Sequence, residues 1–287
     1  VELPSEVAAA ISDALGAGIV EAVPVSGGDV AASYRVELSD ARTVFAKTHA
    51  DPPRHFFDTE ARGLQWLRDA NALPVPEVLA VSTEPPLLVL TWIDERRRTP
   101  ADSGAFGRGL AALHQAGAPT FGREDHRTTG SRGLPNEPSD SWVDFFGEQR
   151  ILVLAKLAVD GGTYDLQTAR WFERIAARLD VLGGEPESPA RLHGDLWSGN
   201  RIVDTTGESW LIDPACHGGH REFDLAMMRL FGGFSEDEFA AYNEAFPLAT
   251  GWRDRVELHQ LAPLMVHAIK FGGGYVNAAL AAAQRYA

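Results

Sequence analysis

The stretch "RLHGDLWSGNRIVD" at 191–204, followed by "SWLIDP" at 209–214, constrains this chain more than any other. Two short apolar runs flank "TTGE", a pattern that predicts a β-hairpin over 201–213. Such a hairpin returns Asp213 to the glycine-punctuated turn that carries His193, Asp195 and Asn200. An acid at Asp195 can orient a hydroxyl and take its proton. The amide oxygen of Asn200 and the carboxylate of Asp213 are hard oxygen ligands of the kind that hold Mg²⁺ alongside phosphate oxygens. Phosphoryl transfer divides its labour in this way, with one acid for the nucleophile and an amide plus a second acid for the metal. Turn formation alone explains the glycines but leaves these four polar side chains as coincidence.

The residues before this stretch fall into two regions. Segment 19–48 alternates apolar and β-branched residues with polar ones, with turn signals at 26–29 and 39–41. "DPPRHFFDTEARGLQWLRDAN" has helical spacing, and "VPEVLAVSTEPPLLVLTWIDE" reads as two strands around the turn at 84–86. Past Ile93 the periodicity is helical almost throughout, apart from a Gly/Pro/Ser/Arg-rich loop between Thr120 and Asp140. Only 201–204 and 209–213 read as strands there. The expected fold is α+β, with a small antiparallel-sheet N-terminal lobe (1–92) and a larger helical C-terminal lobe (93–287) that meet near Thr91–Asp94.

Within the first lobe, "TVFAKTH" puts Lys47 on a strand. Lysine is scarce here: the basic residues are overwhelmingly arginine, and the lysines are Lys47, Lys156 and Lys270. On the following helix Phe56, Glu60, Leu64 and Leu67 share one side. A carboxylate in an apolar stripe is costly unless a cation meets it, and Lys47 is the natural mate. Gly27 and Gly28 in "VSGGDVAASYRV" suit an anion-binding nest and equally a plain hairpin turn.

The net charge of −14 argues against nucleic acid or an anionic membrane as partner, and a phosphate site would need local donors and a metal. No apolar run is long enough to span a bilayer, and the N-terminus shows no signal-peptide pattern, so a cytoplasmic protein is expected. The single cysteine, Cys216, excludes an internal disulfide framework. "CHGGH" at 216–220 matches no common zinc spacing. His114 in "LAALHQ" reads as a satisfied core histidine.

The ordered set Gly27-Gly28, Lys47, Glu60, "HGDLWSGN" and "LIDP" resembles the protein-kinase-like phosphotransferases, in particular the small-molecule branch with aminoglycoside and choline kinases. "HGDLWSGN" with "DPACHGGHREFDLAMMRLFGGF" further resembles the fructosamine kinase (ketosamine-3-kinase) family, and the likeness covers essentially the whole chain. It implies a bilobal kinase fold that uses ATP and Mg²⁺ to phosphorylate O3 of a small-molecule or protein-bound ketosamine, promoting deglycation. By the same resemblance Lys47 holds the α/β-phosphates and Glu60 fixes Lys47. Asp195 is the base, Asn200 and Asp213 bind Mg²⁺, and Thr91, Trp92 and Ile93 meet the adenine edge. Asp224 ties its helix to the catalytic loop, while Trp197, His220, Arg221 and Glu222 face the substrate, with lobe packing as the other reading of Trp197.

Three departures narrow the expectation. Gly194 stands where protein kinases place an arginine, so an activation-loop phosphate would lack its partner. "DPA" at 213–215 removes the phenylalanine switch, and Asp29 occupies a loop position where some relatives carry a dimer-forming cysteine. A monomer is therefore expected rather than a dimer. The alternatives are a kinase for another small hydroxylated amine, of the aminoglycoside or choline type, and a nucleotide-binding pseudokinase, although every base and metal position is retained.

Overall fold

The computed structural model describes residues 2–25, 31–128 and 133–287. Helix α1 (Ser5–Leu15) opens the chain and ends at Gly16, whose left-handed backbone turns its N–H back to the Ser12 carbonyl. Strands β1 (Ile19–Pro24), β2 (Ala32–Leu38) and β3 (Thr43–Thr48) precede helix α2 (Phe56–Arg68), and β4 (Val78–Thr83) and β5 (Pro86–Thr91) follow it. All five strands form one antiparallel sheet in the order β1-β2-β3-β5-β4.

The period of two in β5 divides the sheet's faces. Leu87 and Val89 pack with Val36, Val44 and α1 residues Val7 and Ile11. Leu88 and Leu90 pack on the other face with Leu64 and Leu67 of α2. That second core also contains Leu110 of α3 (Ser103–Gln115) together with Leu196, Leu211 and Leu225. The sheet and the segment 191–213 are thus held by one apolar cluster, whose burial supplies the main stabilising term.

The helical part continues after the short strands β6 (His126–Arg127) and β7 (Pro135–Asn136) with α4 (Trp142–Phe146), α5 (Val153–Asp160), α6 (Leu166–Ala176) and α7 (Leu179–Leu182). A π-helical turn over Gly147–Leu152 joins α4 to α5. Strands β8 (Ala190–Leu192), β9 (Arg201–Val203), β10 (Ser209–Leu211) and β11 (His217–Gly219) follow. The chain closes with α8 (Glu222–Leu230), α9 (Glu236–Ala245), α10 (Val256–Phe271) and α11 (Gly274–Tyr286).

Strands β9 and β10 form the expected hairpin, with Ser209 opposite Val203. A second pair, β8 with β11, was not expected from sequence. "HGG" has no strand propensity, and this ladder exists because its tertiary surroundings hold it: Gly218 exchanges backbone hydrogen bonds with Gly122. The connection after β5 is fastened to the β9–β10 hairpin, with Arg96 N–H donating to the Val203 carbonyl (2.8 Å) and Thr205 N–H to that of Asp94 (3.1 Å). Among the described residues no helix is long and apolar enough to cross a membrane.

Candidate active site

Lys47 sits on β3 between Ser33 of β2 and Leu88 of β5, and is 6% exposed. Its Nζ donates to Glu60 Oε1 at 2.7 Å and also to Asp213 Oδ1. Burial disfavours the ammonium, but Glu60 and Asp213 outweigh it and hold the Lys47 pKa above its ordinary value. For Glu60, 5% exposed, burial pushes the carboxyl upward while Lys47 pulls it back. The carboxylate in the apolar stripe of α2 therefore has the cation that its burial requires.

The turn 193–200 is fixed by its backbone. Gly194 has φ +82°, and a Cβ there would run into the Ala215 carbonyl oxygen. Asp224, in the first turn of α8, accepts from the N–H groups of His193 (2.8 Å) and Gly194 (2.9 Å) and lies 3.3 Å from His114 Nε2. Burial opposes its charge, but the His114 contact leads the interactions that lower the Asp224 pKa. His114 Nδ1 in turn meets the Tyr242 hydroxyl at 2.8 Å, so this histidine is satisfied in the core. Burial lowers the His193 pKa, against the pull of the Asp224 charge. The His193 Nε2–H donates to the Ile212 carbonyl (2.8 Å), which leaves Nδ1 to accept from the Asp195 N–H (3.3 Å).

This scaffold brings Asp195, Asn200 and Asp213 together. Asn200 Nδ2 donates to the Asp195 carbonyl (2.8 Å), to Asp195 Oδ2 (3.2 Å) and to the Asp213 carbonyl (3.4 Å). With its nitrogen so engaged, Asn200 has its amide oxygen left to act as an acceptor. Asp213 is in the left-handed region with φ +52°, a conformation that Asp tolerates better than most residues. Burial, and then the neighbouring Asp213 charge, push the Asp195 carboxyl up to about 7, against the pull of the Asn200 hydrogen bond and the Lys270 charge. Lys270, in the last turn of α10, was conspicuous in sequence only as one of few lysines.

Replacing Gly194 by alanine is expected to destabilise the protein by more than the roughly 1–2 kcal/mol of a left-handed Cβ alone, because the clash with backbone adds to it. Urea unfolding of Gly194→Ala checks this, and a change below about 0.5 kcal/mol would contradict it.

Trp197 is 41% exposed, and its ring meets Phe231 edge-on at 6.4 Å between centroids. It lies over Gly199, where any Cβ would meet the indole. Thr91 is anchored at the end of β5 by exchange with Glu77: its N–H donates to the Glu77 carbonyl and its hydroxyl accepts from the Glu77 N–H, both at 3.0 Å. The half-buried Trp92 donates from Nε1 to Asp94 (3.0 Å) and lies near the Phe45 ring, and Ile93 is half-buried beside it. Gly27 and Gly28 lie outside the described residues.

The substrate-facing expectation for His220, Arg221 and Glu222 is corrected by their burial, at 4%, 4% and 2% exposed. Arg221 is bidentate to Glu187 (2.7 and 2.8 Å), and Glu222 is bidentate to Arg255 (2.6 and 2.9 Å). His220 packs against the rings of Trp142 and His259, which also meet each other. The partners Glu187, Arg255 and His259 are remote in sequence, so the local motif alone carried no sign of them. Cys216 is likewise buried, its thiol pushed up to about 12 by burial and set against the Gly63 carbonyl, while His217 donates from Nδ1 to the Ala215 carbonyl.

Burial drives the pKa values of His217 and His220 down to about 3. The unfolded chain then binds more protons than the folded one between pH 3 and 6.5, so stability falls as pH drops below 6.5. Between pH 7 and pH 5 the loss is about 2 kcal/mol for each histidine. Asp195, raised to about 7, takes up a proton in the folded chain over the same window and offsets about 2 kcal/mol of that loss. A urea midpoint lower at pH 5 than at pH 7 is the expected net result, and an equal or higher one would contradict it.

A buried Lys–Glu pair under a five-stranded sheet, facing an Asp/Asn turn and a second Asp on a hairpin, defines the protein-kinase-like phosphotransferase class. A solved aminoglycoside phosphotransferase complex with ADP and hygromycin B shares this fold, at TM-score 0.65 and 15% identity with 99% of both chains covered. The family model for fructosamine kinase matches residues 4–286, and the chain belongs to that family. A curated "probable ketoamine kinase" of Enterococcus faecium is 35% identical over 88% of this chain and 90% of its own length. A relative of the same description from Thermus thermophilus is also 35% identical, covering 90% of each. A Thermobifida fusca structure carrying a provisional fructosamine-3-kinase name superposes at TM-score 0.92 with 39% identity and 99% coverage of both chains.

Proposed function

We propose that this protein transfers the γ-phosphoryl group of ATP to O3 of a ketosamine, free or protein-bound, and so promotes release of the amine. The observation that carries the reading is the meeting of Lys47, Glu60, Asp195, Asn200 and Asp213 in one cluster, in a chain of the fructosamine kinase family. Lys47, fixed by Glu60, neutralises phosphate charge in exchange for its contact with Asp213. Asp195 orients the acceptor hydroxyl and takes its proton. Trp197 supplies an exposed aromatic wall beside the base, and the segment Thr91–Ile93 presents backbone to the adenine. The division between nucleotide-binding and substrate lobes falls at 92/93.

The donor set fits Mg²⁺: the Asp213 carboxylate and the amide oxygen of Asn200, whose nitrogen is already engaged, are hard oxygen ligands. When bound, the ion would offset the charge on the transferring phosphoryl group. The chain's own contribution is the fixed turn, held by Asp224 and His193, that keeps Asp195 at hydrogen-bonding distance from Asn200. The proposal is tested by incubating fructosyl-lysine with the protein, ATP and Mg²⁺ and locating the phosphate by phosphorus–proton NMR correlation. Phosphate on O3, followed by release of lysine, is the expected result. Transfer to another hydroxyl would overturn the assignment.

A further inference from the structure

His220, Glu222 and His259 lie outside the cluster described above and are buried together where the start of α8 meets α10. A nitrogen of each histidine and an oxygen of Glu222 all lie within 4.8 Å of one another. His259 is fully buried, and neither ring nitrogen has a hydrogen-bond partner among the described residues. Two unsatisfied buried ring nitrogens are costly, and each such group calls for an explanation. The Nε2 of His259 stands 3.5 Å from Glu222 Oε2, beyond the usual N–H···O distance. Two ligands bound to zinc at about 2.0–2.1 Å in a tetrahedron sit about 3.3–3.4 Å apart, close to that separation.

We propose that His220, Glu222 and His259 form a zinc site that clamps α8 to α10. Two imidazoles and one carboxylate are a zinc donor set, and water or hydroxide would complete four-coordination. Burial keeps His220 unprotonated. Its Nδ1 faces the Glu222 N–H at 3.3 Å, a long contact that ligation through this ring would have to replace. Arg255 acts as the outer partner that orients the ligating carboxylate, as such groups do at metal sites. Because α8 carries Asp224, the clamp would steady the helix that holds the 193–194 backbone.

The test uses the full chain without a histidine tag, stripped with chelator and titrated with Co²⁺ and then Zn²⁺ in saturating Mg²⁺ and ADP. One Co²⁺ per chain with the intense visible bands of a tetrahedral site, displaced by Zn²⁺, is expected, together with a higher thermal midpoint in zinc. In His259→Phe the affinity should fall at least about 100-fold, since loss of an outer partner alone typically costs 10–100-fold. ADP binding reports that this variant is folded, and His259→Gln replaces it if it is not. No stoichiometric uptake by the wild-type chain, or equal uptake by wild type and variant, would overturn the site. The readout is independent of phosphate transfer, so it stands or falls apart from the kinase reading.

Discussion

Asp195→Asn is expected to lower turnover by about 10²–10⁴, the usual contribution of a general base, while nucleotide affinity changes little. The asparagine keeps an oxygen to accept from Asn200 Nδ2, so the turn that presents it need not move. The proposed nucleotide contacts at Lys47 and Glu60 come from β3 and α2 and do not pass through Asp195. What the variant loses is the ability to take a proton. In the wild-type chain that ability is tuned by burial and by Asp213, which place the carboxyl at about 7. Titration calorimetry with ADP and a coupled turnover assay on the same preparation separate the two effects. Turnover within tenfold of wild type would remove Asp195 from the role of base.

The second large effect is expected from Asp224→Ala. This carboxylate is fully buried and accepts from two backbone N–H groups of the 193–200 turn as well as facing His114. Its removal strands two buried donors and the His114–Tyr242 pair. A loss of about 3–5 kcal/mol is expected, the range for deleting one partner of a buried charged network. Asp224→Asn, with one oxygen remaining, should lie between the alanine variant and wild type. Urea unfolding of both variants measures this. A loss below about 1 kcal/mol for the alanine variant would mean that the turn is held by its glycine geometry and His193 rather than by α8.

These effects also mark how far the sequence could be read. The Lys47–Glu60 pair was legible because a carboxylate inside the stripe of Phe56, Leu64 and Leu67 demands a cation, and a strand lysine stood just upstream. The hairpin that returns Asp213 was legible from its two apolar runs and the turn between them. The direction in which the charges of "GHRE" face was not. Arg221 and Glu222 look like surface residues until Glu187 and Arg255, 34 and 33 positions away, are seen to close the pairs. The β8–β11 ladder escaped for a related reason, since three residues with two glycines carry no periodicity and their pairing depends on the loop at Gly122. The π-helical turn at 147–152 lies inside a segment whose apolar spacing is helical throughout, so only packing reveals it.

Phosphorylation of a ketosamine by the Asp195-centred cluster is what the proposed function requires. It is tested most directly by mass spectrometry of fructosyl-, ribulosyl- and erythrulosyl-lysine after incubation with ATP, Mg²⁺ and either the wild-type protein or Asp195→Asn. A mass gain of one phosphate on at least one of the three is expected with wild type and none with the variant. No gain on any of them, in a preparation that binds ATP, would contradict it and direct the search to other hydroxylated amines.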